Sequence, residues 1–411
     1  LDKAAAKTLL ERLFRAGVEA ALPSRVVPDA VNALTDSPTI LFAAGKGAVE
    51  MAEAALALGV RFRIGLAVTR AGQGRPLPGF EVVEAAHPVP DSSSVDAALQ
   101  MLALAEGAAE DDHILMLLSG GASALLCLPG EGLTLEAKQV VTRALLRSSA
   151  PVDQINTVRR HLSAIKGGRL AAAAYPARVT TLAISDVVDD APEAIGSGPT
   201  APDPTTLRAA RAILARHGVA DPGAGWSESI KPGDPRLACS NFRIIASARM
   251  SLHAVRAAVE TEGYQPIYLG DDLEGDARNF GARHAEIARD YAGRGGRFAL
   301  ISGGELTVTV RGEGRGGPNF EYAAALALGV EGLANVAALS GDSDGIDGNS
   351  GASGAFVFGD TAVRARLASR PLERALADSD TATAFSAIGD VFAPGPTGTN
   401  VNDLRIVLIS S

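Results

Sequence analysis

This sequence predicts a two-domain α/β fold with largely parallel sheets, on three observations. Its 411 residues exceed what one ordinary hydrophobic core accommodates. Short apolar runs of strand length alternate with amphipathic runs of helix length along almost the whole chain, as strands joined by covering helices require. The stretch 219–235 interrupts that alternation with Gly, Pro, Ser and the only Trp, the composition of a linker or a long surface excursion. The division is accordingly placed after residue 235, giving domains 1–235 and 236–411.

From the N-terminus, Leu9, Leu10, Leu13, Phe14 and Val18 recur at helical spacing, and Lys7, Glu11, Arg12 and Arg15 between them are foreign to a signal peptide. Ile40–Ala44 is apolar throughout and stops at Gly45, which reads as a buried strand running into a helix at 48–58. The same alternation gives strands at 63–69, 80–86 and His113–Leu118, and helices at 93–109 and Leu135–Arg147. It continues with a helix at 157–174, a strand at 178–185 and a helix at 205–217. Beyond these come strands at 242–247, 266–269, Arg297–Ser302, 306–310, 336–340, Gly354–Phe358 and 404–409, with helices at 252–262, 275–292 and 319–330. Ligands of such sheets bind past the C-terminal ends of the strands. That rule directs attention to the loops at Gly45, Ser119, Asp186, Ser302 and Gly341.

Composition narrows the function classes. A net charge of -9 argues against a general affinity for nucleic acid or anionic membrane. No run approaches the ~18 apolar residues of a membrane span, so a cytoplasmic protein is expected, and the start at Leu1 suggests that at least one residue has been removed ahead of it. Cys127 and Cys239 have no CxxC partner and the six histidines form no HExxH, so neither a disulfide framework nor a zinc site is expected, and no metal ligand is assigned.

The densest chemistry lies in 156–200. Arg159, Arg160, His161, Lys166 and Arg169 precede a strand, and Asp186, Asp189, Asp190 and Glu193 follow it. Cations that hold anionic groups, then carboxylates at a strand's C-terminal end, are what phosphoryl transfer requires. For any single charge a solvated helix or a polar turn is the commoner explanation; the whole run, set between Gly167-Gly168 and Gly196-Ser197-Gly198, favours a site.

Four loops add to it. Gly45-Lys46-Gly47 turns a strand into a helix, whose first N–H groups and dipole suit an anion, although no Walker A motif exists here. Ser119-Gly120-Gly121-Ala122-Ser123 ends an apolar strand with small residues that admit phosphate oxygens; it fails the G-x-S-x-G pattern of a serine hydrolase at Leu125. A second Ser-Gly-Gly, closed by Glu305, stands at 302–305. Gly312-Glu313-Gly314-Arg315-Gly316-Gly317 matches G-x-G-x-x-G, the anchor of a nicotinamide-dependent reductase, but the run before it resembles the second arm of a hairpin and no acidic residue follows ~20 positions on at a strand end. Last, Asp342, Asp344 and Asp347 follow the strand 336–340, where carboxylates can orient a hydroxyl nucleophile or hold Mg²⁺ through water; a solvated turn is the competing explanation.

In order along the chain, Gly45-Lys46-Gly47-Ala48, His87-Pro88-Val89-Pro90-Asp91, LLSGGASALL at 117–126, NTVRRHLSAIKGGRLA at 156–171, SDVVDDAPEAIGSGPT at 185–200, Ser302-Gly303-Gly304-Glu305, Asp344-Gly345-Ile346-Asp347-Gly348 and PTGTNVN at 396–402 resemble the class II glycerate 2-kinase family. Its C-terminal module is called MOFRL, and its members are often labelled hydroxypyruvate reductase. The resemblance implies ATP-dependent phosphorylation of D-glycerate at the 2-hydroxyl, with Mg²⁺ accompanying the nucleotide. It also implies a Rossmann-like N-terminal domain, a smaller mixed α/β C-terminal (MOFRL-type) domain and an active site in the cleft.

Carried onto this chain, Lys46 resembles the lysine that stabilises the transferring phosphoryl group, and Asp344 the carboxylate that orients or deprotonates the hydroxyl. Asp189 falls in the family's acidic loop. Ser119, Gly120, Gly121 and Ser123 match its nucleotide loop, and Gly303, Gly304, Glu305 and Asn319 are expected to join them. Where the family has Arg before the Asn of G-G-R-N-Q-E, this chain has Pro318, so Arg315 is the expected substitute. Arg159 and Lys166 are expected to bind the substrate, and a homodimer is the expected assembly. An NAD(P)H-dependent hydroxypyruvate reductase is the alternative, and a catalytically silent ligand-binding protein, favoured by Pro318, comes third.

Overall fold

The computed structural model describes residues 2–148 and 150–410. They divide into two compact units: Pro23–Ile245 forms one, and the residues up to Leu22 join those from Ala246 onward in the other. The expected division after residue 235 therefore falls inside the first unit, and the N-terminal helix belongs to the second.

Packing explains both differences. Helix Lys3–Glu19 buries Leu10, Leu13, Phe14 and Val18 in a cluster with Leu252, Val255, Leu404 and Ile406. The Gly/Pro-rich stretch 219–235 is bound into the first unit by its backbone. Ser227 N donates to the His161 carbonyl at 3.0 Å and Ile230 N to that of Gly167 at 2.9 Å. The Trp226 indole, half-buried, donates to Asp221. It is a surface excursion, not a linker.

The first unit is built on strands β1 (Ile40–Ala44), β2 (Ile64–Arg70), β3 (Phe80–Ala85), β4 (His113–Leu118), β5 (Arg178–Ile184) and β6 (Ser240–Ala246), in the order 3-2-1-4-5-6. Strands β1 to β5 pair in parallel. Every residue of β1 and β4 is buried, the reason both read as unbroken apolar runs: helices cover each face of a parallel sheet. This order is that of the Rossmann architecture, in which the crevice opens where the strand order reverses, here between β1 and β4.

The helix expected over 157–174 is two helices, Val152–His161 and Arg169–Ala174. Gly167 and Gly168 adopt φ of 60° and 80° between them, and Ser163 Oγ accepts from the amides of Ile165 and Lys166, so the chain cannot stay helical.

The second unit carries β7 (Gln265–Tyr268), β8 (Leu273–Asp276), β9 (Arg297–Ser302), β10 (Gly304–Thr307), β11 (Val336–Asp342), β12 (Gly354–Phe358), β13 (Val391–Phe392) and β14 (Asp403–Ser410). Six of them form a mixed sheet in the order 13-12-11-14-9-7, antiparallel except for β7 and β9. The strand expected at 306–310 as a hairpin arm begins instead at Gly304 and pairs in parallel with β8, forming a separate two-stranded sheet.

Candidate active site

Strands β1 and β4 end in register, Ala44 beside Leu118, so the loops Gly45-Lys46-Gly47 and Ser119-Gly120-Gly121 leave the sheet side by side at the reversal point. Three hydrogen bonds join them: Ser119 N to the Ala44 carbonyl (3.0 Å), Lys46 N to the Gly120 carbonyl (2.8 Å) and Gly47 N to Ser119 Oγ (3.0 Å). A Cβ on Gly45, at φ 129°, would lie 2.2 Å from Ser119 Oγ. Only glycine permits the junction.

Three side chains converge on the second loop. The Cβ position of Gly120 lies 2.1 Å from Asp186 Oδ2; that of Gly121 lies 3.1 Å from Lys46 Cγ and 3.3 Å from the His87 ring. Ser119 turns its hydroxyl inward to Gly47, whereas Ser123 Oγ shares a 2.7 Å hydrogen bond with Ser197 Oγ. Asp186, not Asp189, is the acid beside the glycine loop. Asp189 sits exposed in the turn Val188–Asp190 with a φ of 69°.

The basic run separates into two sets. Arg160, His161 and Arg169 hold the fold: Arg160 pairs with buried Asp203 at 3.0 Å, His161 Nε2 lies 3.0 Å from Glu228, and Arg169 donates to the carbonyls of Arg160 and Lys166. Arg159 and Lys166 instead line a cavity of ≈ 260 Å³ together with His87, Ser123, Lys138 and Arg143. Lys166 Nζ donates to the carbonyls of Leu126 (3.0 Å) and Gly196 (3.1 Å), and Lys138 Nζ to that of Leu162 (2.6 Å). Burial pulls Lys166 down to about 7 and Lys138 to about 8. His87 is held at about 4, by burial first and then by the charges of Lys46, Arg70 and Arg159, and is a neutral imidazole at neutral pH. The sequence reading gave no role to Lys138, quoted His87 only within a motif, and named Asp186 in the acidic run without singling it out. The available signals were the buried helical stripe that Lys138 shares with Val141 and Leu145, and the place of Asp186 directly past the end of β5.

In the second unit, the loop after β11 is an acidic cluster. The Asp344 amide donates to Asp342 Oδ1, and Asp344 Oδ1 accepts from the amide of Ile346, both at 2.9 Å. Asn319 is fully buried: its Nδ2 donates to Asp403 at 2.6 Å, and its Oδ1 accepts from Ser340 Oγ at 2.6 Å. Asp347 Oδ2 accepts from the Phe320 amide at the start of helix Pro318–Gly329. Burial, then neighbouring carboxylates, raise Asp342 well above the ordinary range and Asp347 to about 7. Arg405 pairs with Asp403 and donates to the Gly303 carbonyl at 2.8 Å, with the Gly304 carbonyl at 3.5 Å; Glu305 is exposed. Among the described residues, no group of three or more His, Cys, Asp or Glu is arranged to hold a metal ion.

The G-x-G-x-x-G segment is irregular chain between β10 and helix Pro318–Gly329. A Cβ on Gly312 would lie 2.3 Å from the Asp378 carbonyl, and one on Gly317 2.4 Å from the Asp347 carboxyl carbon. Gly314, where a dinucleotide fingerprint would admit pyrophosphate, likewise meets the protein's own chain: a Cβ there would lie 2.5 Å from Asp380 Cβ. Arg315 is exposed, and its guanidinium donates to the Ser350 carbonyl at 2.5 Å. Pro318 opens the helix at a position that needs no N–H donor.

Residues 9–225 match a family described as "Domain of unknown function (DUF4147)", and residues 298–403 match the MOFRL family. The D-glycerate 2-kinase of Thermotoga maritima is 36% identical over 99% of both chains. A protein of Agrobacterium vitis bearing a hydroxypyruvate reductase name is 42% identical over 98% of this chain and 94% of its own. The human glycerate kinase is 34% identical over 84% of this chain and 77% of its own. The crystal structure of glycerate kinase from Thermotoga maritima superimposes with a TM-score of 0.91, covering 99% of this chain and 100% of that one. Kinase names thus recur in bacterial and mammalian relatives, one of them with the same fold along its whole length. The chain belongs to the glycerate kinase family that carries a MOFRL module.

Proposed function

We propose that the protein transfers the γ-phosphoryl group of ATP to the 2-hydroxyl of D-glycerate, giving 2-phosphoglycerate and ADP. The observation that carries this reading is the junction at the strand-order reversal, where Lys46 and two glycine turns open at the start of helix Ala48–Leu56. Such a junction sets a lysine beside glycine turns at a helix start, a setting suited to phosphate oxygens.

Lys46 faces the transferring group in this reading, Gly120, Gly121 and Ser123 the nucleotide, and Arg159 and Lys166 the substrate. Asp344 orients the hydroxyl, and Arg315 assists the phosphates in place of the family arginine. Glu305 contributes to the nucleotide from an exposed position. Gly303 and Gly304 act through the Arg405 anchor, and Asn319 acts as a brace for the acidic loop, since both of its amide atoms are engaged. Ser119 shapes the Lys46 turn. Asp189 assists the transfer from its exposed turn, and Asp186 joins it beside the glycine loop. Mg²⁺ would neutralise charge on the phosphates; with no protein cage for it among the described residues, it fits as an ion borne by the nucleotide and touched by one carboxylate such as Asp186.

The reading includes a cytoplasmic homodimer, which sedimentation of the purified protein tests. Among the described residues, no helix is long and apolar enough to cross a membrane. A hydroxypyruvate reductase is the second reading, favoured by the names of two Agrobacterium vitis relatives. Following ADP formation from ATP, Mg²⁺ and D-glycerate beside NAD(P)H oxidation with hydroxypyruvate separates the two.

A further inference from the structure

The cavity bounded by the first unit's helix Leu135–Arg147, the turn at His87 and the glycine loop has an unbalanced lining. Lys138, Arg143, Arg159 and Lys166 contribute to it, and among the described residues no Asp or Glu does. The ammonium groups of Lys138 and Lys166 are almost completely buried, and the hydrogen bonds they donate go to neutral backbone carbonyls. A buried charge is costly unless an opposite charge meets it. Elsewhere in the same unit that requirement is satisfied from within, as buried Arg160 is by buried Asp203. Here, among the described residues, the lining offers the Cys127 thiol and no carboxylate to oppose the two ammonium groups, and an anion entering the cavity would supply the counter-charge.

We infer that this cavity is the seat of the hydroxy acid's carboxylate, with Lys138 as a binding residue beside Arg159 and Lys166. The identity of the acid rests on the phosphoryl-transfer reading; the preference for an anion rests on the lining alone. Three features fit a small monocarboxylate. The volume of ≈ 260 Å³ suits a three-carbon acid with some water. Pro88, Val89, Pro90 and Leu146 wall it with apolar surface, so the charged end of a ligand is drawn to the lysines. Gly121 belongs to the cavity wall and also touches Lys46 and His87, which brings the uncharged end of an anchored acid towards the lysine assigned to the phosphoryl group. His87, neutral at physiological pH, is available there as a hydrogen-bond partner for a hydroxyl.

Calorimetric titration with D-glycerate, without nucleotide, tests this on wild type, Lys138→Met and Ala124→Leu. The first variant removes the charge at similar length. The second fills the cavity from the wall residue Ala124. Glycerol and inorganic phosphate serve as neutral and non-carboxylate probes. The expected result is that D-glycerate binds and glycerol does not, that Kd for D-glycerate rises at least ten-fold in both variants, and that KM for ATP stays within two-fold. A wild-type measurement covers the case in which either variant fails to fold: saturating D-glycerate should raise the melting temperature of the wild type, and the same concentration of glycerol should not. Unchanged D-glycerate affinity in the variants, no thermal shift of the wild type with D-glycerate, or binding of phosphate alone overturns the inference, even where kinase activity is intact. Variant-sensitive D-glycerate binding without any ATP turnover would instead remove the phosphoryl-transfer reading and leave the carboxylate seat standing.

Discussion

Gly47 donates its amide to Ser119 Oγ at 3.0 Å, tying the loop after β1 to the loop after β4. This bond fixes the turn that carries Lys46 and uses the hydroxyl that the sequence had assigned to nucleotide. Ser119→Ala leaves the Gly47 amide without that partner, a cost of about 1–3 kcal/mol if water does not replace it. The variant should melt lower in a thermal scan and lose kcat more than its KM for ATP rises, because the residue acts through the position of Lys46. Restoration of kcat by Ser119→Thr, which keeps the hydroxyl, would distinguish that role from a general loss of stability.

Lys46→Ala should fold normally and lose about 10²–10³ in kcat, the scale of removing one preorganised group from a charged transition state. Circular dichroism and initial rates check both halves. A kcat within a few-fold of wild type would make Lys46 an ordinary turn residue.

The two buried lysines predict a pH dependence. Lys166, pulled to about 7, and Lys138, pulled to about 8, are charged below those values and neutral above them. An anion needs the charged forms, so KM for D-glycerate should rise as pH passes from about 7 to above 8, and binding should take up protons. Stability should move the opposite way. Between the folded values and the ordinary lysine value of 10.5, the unfolded chain binds more protons, so this contribution to stability grows as pH rises. Lys166→Met should remove its share of both slopes. A pH-independent KM for D-glycerate across that window would exclude the lysines from substrate binding.

Arg315→Ala should lower ATP-dependent kcat/KM by about ten- to a hundred-fold, corresponding to the ~1.5–3 kcal/mol of a charge-assisted contact. Its guanidinium also holds the Ser350 carbonyl, so the melting temperature belongs in the same experiment. If stability falls and kinetics do not, Arg315 serves the acidic loop alone.

How much of this was legible depended on burial. β1 and β4 could be read because strands buried on both faces are continuous apolar runs, and Gly45 after the first and Ser119-Gly120 after the second mark where the backbones approach each other. The break at 162–168 was hidden by an amphipathic pattern that continues across Gly167-Gly168. β8 could not be read from Leu-Glu-Gly-Asp, and without it Leu306 looked like part of a hairpin. Lys138 shows itself only through the stripe it shares with Val141 and Leu145, and which groups meet its ammonium is a tertiary fact. That Asp186 is an acid meeting Gly120 is a relation that spans separate elements. The helix Lys3–Glu19 showed its apolar face in the sequence, but which core receives that face is a tertiary fact.

The central claim is transfer of phosphate to the 2-hydroxyl, and phosphorus NMR of a reaction containing ATP, Mg²⁺, D-glycerate and the purified protein tests it most directly. The account predicts ADP and 2-phosphoglycerate, with enolase converting the product directly to phosphoenolpyruvate. Formation of 3-phosphoglycerate alone, or oxidation of NAD(P)H by hydroxypyruvate with no consumption of ATP, would contradict it.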